Sequence, residues 1–208
     1  MKIGLGCIAF ALATPTAFAS IAFTTGQAVF IAPPLDITRN TFVSNDEFFV
    51  FQEQTAASFP LAIPLEQVST GVTNMMNDFV GGTVPANTEF DSFYVHVDGV
   101  GNSAQIFSGS IRFTTEIFGV ILTDNALDSV DLLLNSPLTI YPEGTTDRGL
   151  EFSGQDVITI SEDRRTLTYS GRVSTAIDGF RIITAVPSPG VAGTALIGAI
   201  ALLRRRRC

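Results

Sequence analysis

Residues 92–98 read Ser92-Phe93-Tyr94-Val95-His96-Val97-Asp98. Side chains alternate across a β-strand with a period of two. Phe93, Val95 and Val97 therefore share one face, and Tyr94, His96 and Asp98 share the other. The alternation predicts an antiparallel strand with one face on a core and the other toward water.

The neighbouring sequence repeats this theme. Gly99 to Ser103 turns the chain, and Ile111 and Phe113 then alternate with Arg112 and Thr114. Ile21 to Ile31, Glu47 to Gln52, Ile117 to Leu122, Leu138 to Tyr141, Gly149 to Phe152 and Gly179 to Ala185 read as further short strands bounded by Gly, Pro, Asn or Asp. Asp156 to Ser161 and Thr166 to Val173 read as a hairpin around Glu162-Asp163-Arg164-Arg165. Phe59 to Val68 carries Pro60 and Pro64, which confines it to an edge strand or a loop. Gly71 to Asn87 lacks a clear period and reads as a long surface loop with room for a short buried helix near Met75-Met76. Only Ala126 to Leu134 fits a helix, entered through Thr123-Asp124-Asn125, with Leu127 and Leu134 facing inward. The expected fold is all-β: a two-sheet antiparallel sandwich, jelly-roll-like, with one short helix.

The two ends of the chain read differently from this body. Met1-Lys2, the apolar run to Ala13 and the small residues Ala17 and Ala19 fit a signal peptide over residues 1–19, cut by signal peptidase so that Ser20 becomes the first residue. At the other end stand Val186-Pro187-Ser188-Pro189-Gly190, an uncharged apolar run from Val191 to Leu203, and Arg204-Arg205-Arg206-Arg207 before Cys208. The prolines and glycine break regular structure. A thirteen-residue helix is about 20 Å long, short of the roughly 30 Å hydrocarbon core. Four arginines place the end in the cytoplasm and the body outside.

This three-part order resembles the PEP-CTERM sorting domain of exported bacterial proteins, in a Pro-Ser-Pro-Gly form similar to planctomycete-type members. The usual middle residue of the motif is Glu where this chain has Ser188, and Cys208 lies outside the usual pattern. The resemblance covers residues 186–208. It implies an exosortase that cleaves near the proline motif, transient anchoring in the inner membrane, and delivery to the cell envelope, cell surface or extracellular matrix. Residues 92–184 also resemble a β-sandwich ectodomain found ahead of such tails. That likeness is carried by Gly109-Ser110-Ile111-Arg112-Phe113, Gly119-Val120-Ile121, Tyr141-Pro142, Arg148-Gly149-Leu150-Glu151 and Arg181-Ile182-Ile183-Thr184. It implies a fold and an extracellular setting, and no activity.

Charge narrows the partners of the remaining body, residues 20–185. Lys2 and the four terminal arginines are five of the twelve basic residues, leaving seven against twenty acidic side chains, a net charge of −13. Repulsion excludes nucleic acid and anionic membrane surfaces. Both cysteines, Cys7 and Cys208, lie in the end segments, so the body is expected to fold without a disulfide.

Candidate chemistry is sparse. His96 is the only histidine and has Asp98 two residues away, but no G-x-S-x-G elbow accompanies them. A wet strand face accounts for the pair equally well. Asp124, Asp128 and Asp131 have helical spacing and could offer oxygen ligands to calcium, as could loop oxygens around Asp78 and Asp98. The simpler reading makes Asp124 a cap and the other two the wet side of the helix. Arg148 reads as a partner for nearby carboxylates. No catalytic residue is assigned. The expected role is non-enzymatic: adhesion or association with exopolysaccharide. The alternatives are a carbohydrate-binding module, with or without calcium, and a glycan hydrolase. The absence of Trp disfavours a sugar-stacking platform.

Overall fold

The computed structural model describes residues 21–101, 103–144, 148–174 and 176–187. Ala17, Ala19, Ser20, Ser188, Pro189, Gly190, the apolar run and Arg204 to Arg207 lie outside the described residues. The signal-peptide and sorting-tail readings therefore stand on sequence.

The elements in order are β1 (Ile21–Gly26), β2 (Ala28–Ile31), β3 (Phe48–Ala57), β4 (Ile63–Leu65), β5 (Gly71–Met75), a single 3-10 turn (Met76–Asp78), β6 (Gly82–Val84), β7 (Phe90–Val97), β8 (Gln105–Phe113), β9 (Ile117–Ile121), α1 (Asp124–Leu134), β10 (Ser153–Ile160), β11 (Thr166–Val173) and β12 (Asp178–Ala185). The fold is all-β. One five-stranded sheet runs β1-β8-β11-β10-β5, a second runs β2-β3-β7-β12-β9, and β4 and β6 form a small pair.

The main core lies between the two large sheets. Phe93, Val95, Val97, Phe180 and Ile182 of the second sheet meet Phe107, Ile111, Phe113, Ile158, Leu167 and Tyr169 of the first. Each fully buried apolar side chain contributes about 1.5–3 kcal/mol. The period-two reading of residues 92–98 is correct for this face.

The other face of β7 overturns the reading of a wet surface. A second core covers it: Phe51, Tyr94, Ile121 and Ile183 pack with Leu127, Val130 and Leu134 of α1 and with Ile63, Leu65 and Val84. His96 and Asp98, expected toward water, are 0% and 4% exposed. The helix and its flanking loops form a third layer, so the central strand is buried on both sides.

Other expectations need correction. The run from Ile21 to Ile31 is two strands in different sheets. It breaks at Gly26, whose φ of +67° is left-handed. Gly26 pairs with Gly109 in the β1–β8 ladder. A Cβ on Gly109 would sit 2.7 Å from Thr25 O, 2.8 Å from Ala28 N and 2.9 Å from the Phe48 ring. Two facing glycines thus let the chain cross between sheets. Beyond the crossing, β2 pairs in parallel with β3. The connection of residues 32–47 is long enough for the crossover that parallel pairing demands. That pair, and five strands per sheet, depart from an antiparallel eight-strand jelly roll.

Residues 71–87 are not one long loop but hold β5, the 3-10 turn and β6. The period was illegible because β5 is an edge strand on which only Thr73 is buried. Met75 and Met76, expected in a buried helix, are 54% and 62% exposed. Leu138 to Tyr141 forms a single bridge, Asp36 to Ile140, instead of a strand. Gly149 to Phe152 likewise precedes β10 without joining it, since Leu150 N bonds Leu122 O beside the helix entrance.

Candidate functional site

Arg148 and Arg181 are the two largest fully buried side chains among the described residues. Both lie beneath α1. Period two on β12 sends Phe180 and Ile182 to the main core and Arg181 to the helix side with Ile183. On β3 the same period sets Glu53 on the face of Phe51.

Asp131 joins the two cations. Its Oδ2 accepts Arg148 Nη1 at 2.6 Å. Its Oδ1 accepts Arg148 Nη2 at 2.7 Å and Arg181 Nη1 at 2.8 Å. Glu53 receives Arg181 as a fork, Nε to Oε2 at 2.9 Å and Nη2 to Oε1 at 3.0 Å, and accepts Ser92 Oγ at 2.7 Å. Arg181 also donates to Leu127 O and to Asn135 Oδ1. Arg148 also donates to Asp128 Oδ1, Pro142 O and the Tyr94 hydroxyl. The Arg181 guanidinium carbon stands 5.4 Å from the Tyr94 ring centroid and 5.7 Å from that of Tyr141.

Electrostatics keep this array charged. Burial opposes ionisation of Asp131, but hydrogen bonds and fields from Arg148 and Arg181 outweigh it and hold its carboxyl below the usual range. Burial also disfavours both guanidinium charges. Bonds from Asp131 hold Arg148 up, and Glu53 chiefly holds Arg181 up. All three nitrogens of each guanidinium donate within the protein, so neither offers a free fork to an anionic ligand. The array ties β3, β12, α1 and the segment at Arg148 together.

The helix-spaced aspartates are thus spent on arginine and backbone. Asp124 does not cap; its Oδ1 accepts Arg148 N at 2.7 Å and also Gly149 N. Asp131, expected on the wet side, is 4% exposed. A cation among the three would face the Arg148 guanidinium. Asp98 Oδ2 accepts Asn40 N, and Asp78 Oδ2 accepts Met75 N. Among the described residues no three His, Cys, Asp or Glu side chains gather as a metal site. The expectation that Arg148 pairs with carboxylates is correct. Arg181, Glu53 and Tyr94 were missed, although a charged residue in the inward phase of a strand was the available signal. A shallow groove of about 300 Å³ lined by Asp128, Asp131, Leu132, Glu143 and Gly144 opens beside the array.

His96 does not form a Ser-His-Asp arrangement. Its Nε2 bonds Phe42 O at 2.9 Å, and its Nδ1 is buried with no partner among the described residues. Burial depresses the imidazole to about 4.

A separate acidic cluster lies toward the first sheet. Asp178 Oδ2 accepts the Tyr169 hydroxyl at 2.7 Å, and Asp156 accepts Glu151 N at 2.7 Å and Arg172 N at 3.3 Å. Burial raises Asp156 to about 6. Burial, and then the field of Asp156, raise Asp178 well above the carboxylate range. A raised carboxyl stabilises the fold when protonated, and that contribution fades as pH rises from the unfolded value toward the folded one. Asp178→Asn keeps the acceptor for Tyr169 and removes the charge. Its stability gain over wild type is expected to be near zero at about pH 4 and to grow as pH rises to neutral. Urea denaturation of both proteins across that range checks this; a gain independent of pH would contradict it.

No family model, no curated protein and no solved structure matches the chain.

Proposed function

We propose that this chain is an exported β-sandwich protein, sorted and cut at its tail by an exosortase, and displayed on the cell surface or released into extracellular matrix. Its role there is non-enzymatic adhesion or association with exopolysaccharide. The observation that carries this reading is the fit of the fold to the interval between the two sorting signals. The described strands, from β1 (Ile21–Gly26) to β12 (Asp178–Ala185), all fall within residues 20–185, and β12 ends just before the proline motif.

Mass spectrometry of the mature protein from its native host tests the sorting claim. The expected species begins at Ser20 and lacks Arg204 to Cys208. Finding the intact C-terminus in all material would remove it. A glycan array with an assay for new reducing ends tests the role: retention without turnover supports association, whereas reducing ends would establish a hydrolase.

A further inference from the structure

Residues 38–47 cross the end of the second sheet between β2 and β3. Four bonds fasten them to β7 and the turn after it. Phe42 O accepts His96 Nε2 at 2.9 Å, Asp98 Oδ2 accepts Asn40 N at 2.7 Å, Asp98 O accepts Ser44 N at 2.9 Å, and Asn45 Oδ1 accepts Val100 N at 2.9 Å. The apolar fastening is small: the Phe42 ring lies 4.5 Å from that of Phe49. Most of the segment is half-buried or exposed. Such a segment opens at low free-energy cost.

We infer that residues 38–47 are an acid-released strap that closes only over a neutral His96. With Nε2 donating to Phe42 O, the imidazole leaves a bare Nδ1 in an enclosed site. Protonation puts a second N–H and a positive charge there, with no acceptor within reach. Opening the strap brings the ring to water and relieves that cost.

Among the described residues no anion compensates at the ring. Phe49 of β3 and Gly179 of β12 flank His96 in register, and Phe42 covers it. The nearby charged groups are Asp98 along β7 and Arg39, Asp46 and Glu47 on the strap. Asp178 of β12 is turned to Tyr169 on the opposite face. Asp98 works against opening, because burial raises its carboxyl and acid then favours the closed form. The displacement of His96, to about 4, is the larger of the two. From the unfolded value near 6.5 down to that point, falling pH favours the open strap.

Hydrogen exchange of the full chain at about pH 7 and about pH 4.5, corrected for intrinsic rates, tests the strap. The amides of Asn40 and Ser44 are expected to lose roughly 10- to 100-fold in protection while those of β7 keep theirs. His96→Gln, whose amide can still donate to Phe42 O, is expected to abolish the difference. Equal protection at both pH values, or an unchanged pH effect in His96→Gln, overturns the inference. Should that variant not fold, NMR titration of the wild-type imidazole decides: a midpoint near the free value refutes the strap, and one displaced toward 4 supports it.

Discussion

Asp131→Ala is expected to destabilise the domain by about 3–5 kcal/mol, because it strips the shared acceptor from two buried guanidiniums. Arg148 would keep only Asp128 as a carboxylate partner, and Arg181 only Glu53. A domain of this kind holds only about 5–15 kcal/mol in total, so the variant should sit near its unfolding threshold at room temperature. Asp128→Ala is the control. Its side chain is 38% exposed and makes one 3.1 Å contact with Arg148. A pair of that kind is worth about 1 kcal/mol or less. Urea denaturation followed by circular dichroism measures both. If Asp131→Ala costs no more than Asp128→Ala, the two arginines have other outlets and the array does not hold the layers together.

The second large effect is expected at the crossing between sheets. Gly109→Ala should cost about 3 kcal/mol, since backbone atoms of Thr25 and Ala28 occupy the space of the new methyl and cannot swing aside as a side chain could. Gly101→Ala provides the comparison. Unlike Gly109 it has a positive φ, of 77°, and nothing lies within 4 Å of its added Cβ. There only the left-handed backbone opposes the change, at about 1 kcal/mol. Thermal unfolding separates the two. Equal losses would show that β1 and β2 can move apart without penalty, contrary to the tight packing around Gly109.

Much of the fold was legible because strand period and breakers speak locally. β7, β8, the β10–β11 hairpin, β12 and α1 all follow from alternation, turn residues or helical spacing. What was illegible depended on neighbours distant in sequence. Nothing in Tyr94-Val95-His96 says that α1 will cover their second face. The exposure of β5 hid its period, and one glycine pair split an apparently continuous first strand. At the candidate site, Arg148 could be read as a carboxylate partner. Its sharing of Asp131 with Arg181 could not, because the two arginines are brought together only by the pairing of β12 beside β7 and the packing of α1 across it.

The last strand among the described residues occupies an interior place in its sheet. β12 lies between β7 and β9, and its eight residues pair along the whole of β7. A chain that emerges amino end first leaves β7 paired only with β3, and β9 without its strand partner, until residues 178–185 arrive. Completion of that sheet therefore waits for residues 178–185. A premature stop before Asp178 would remove a keystone rather than a rim, and with it Arg181 and the partner that holds Glu53 and Asp131.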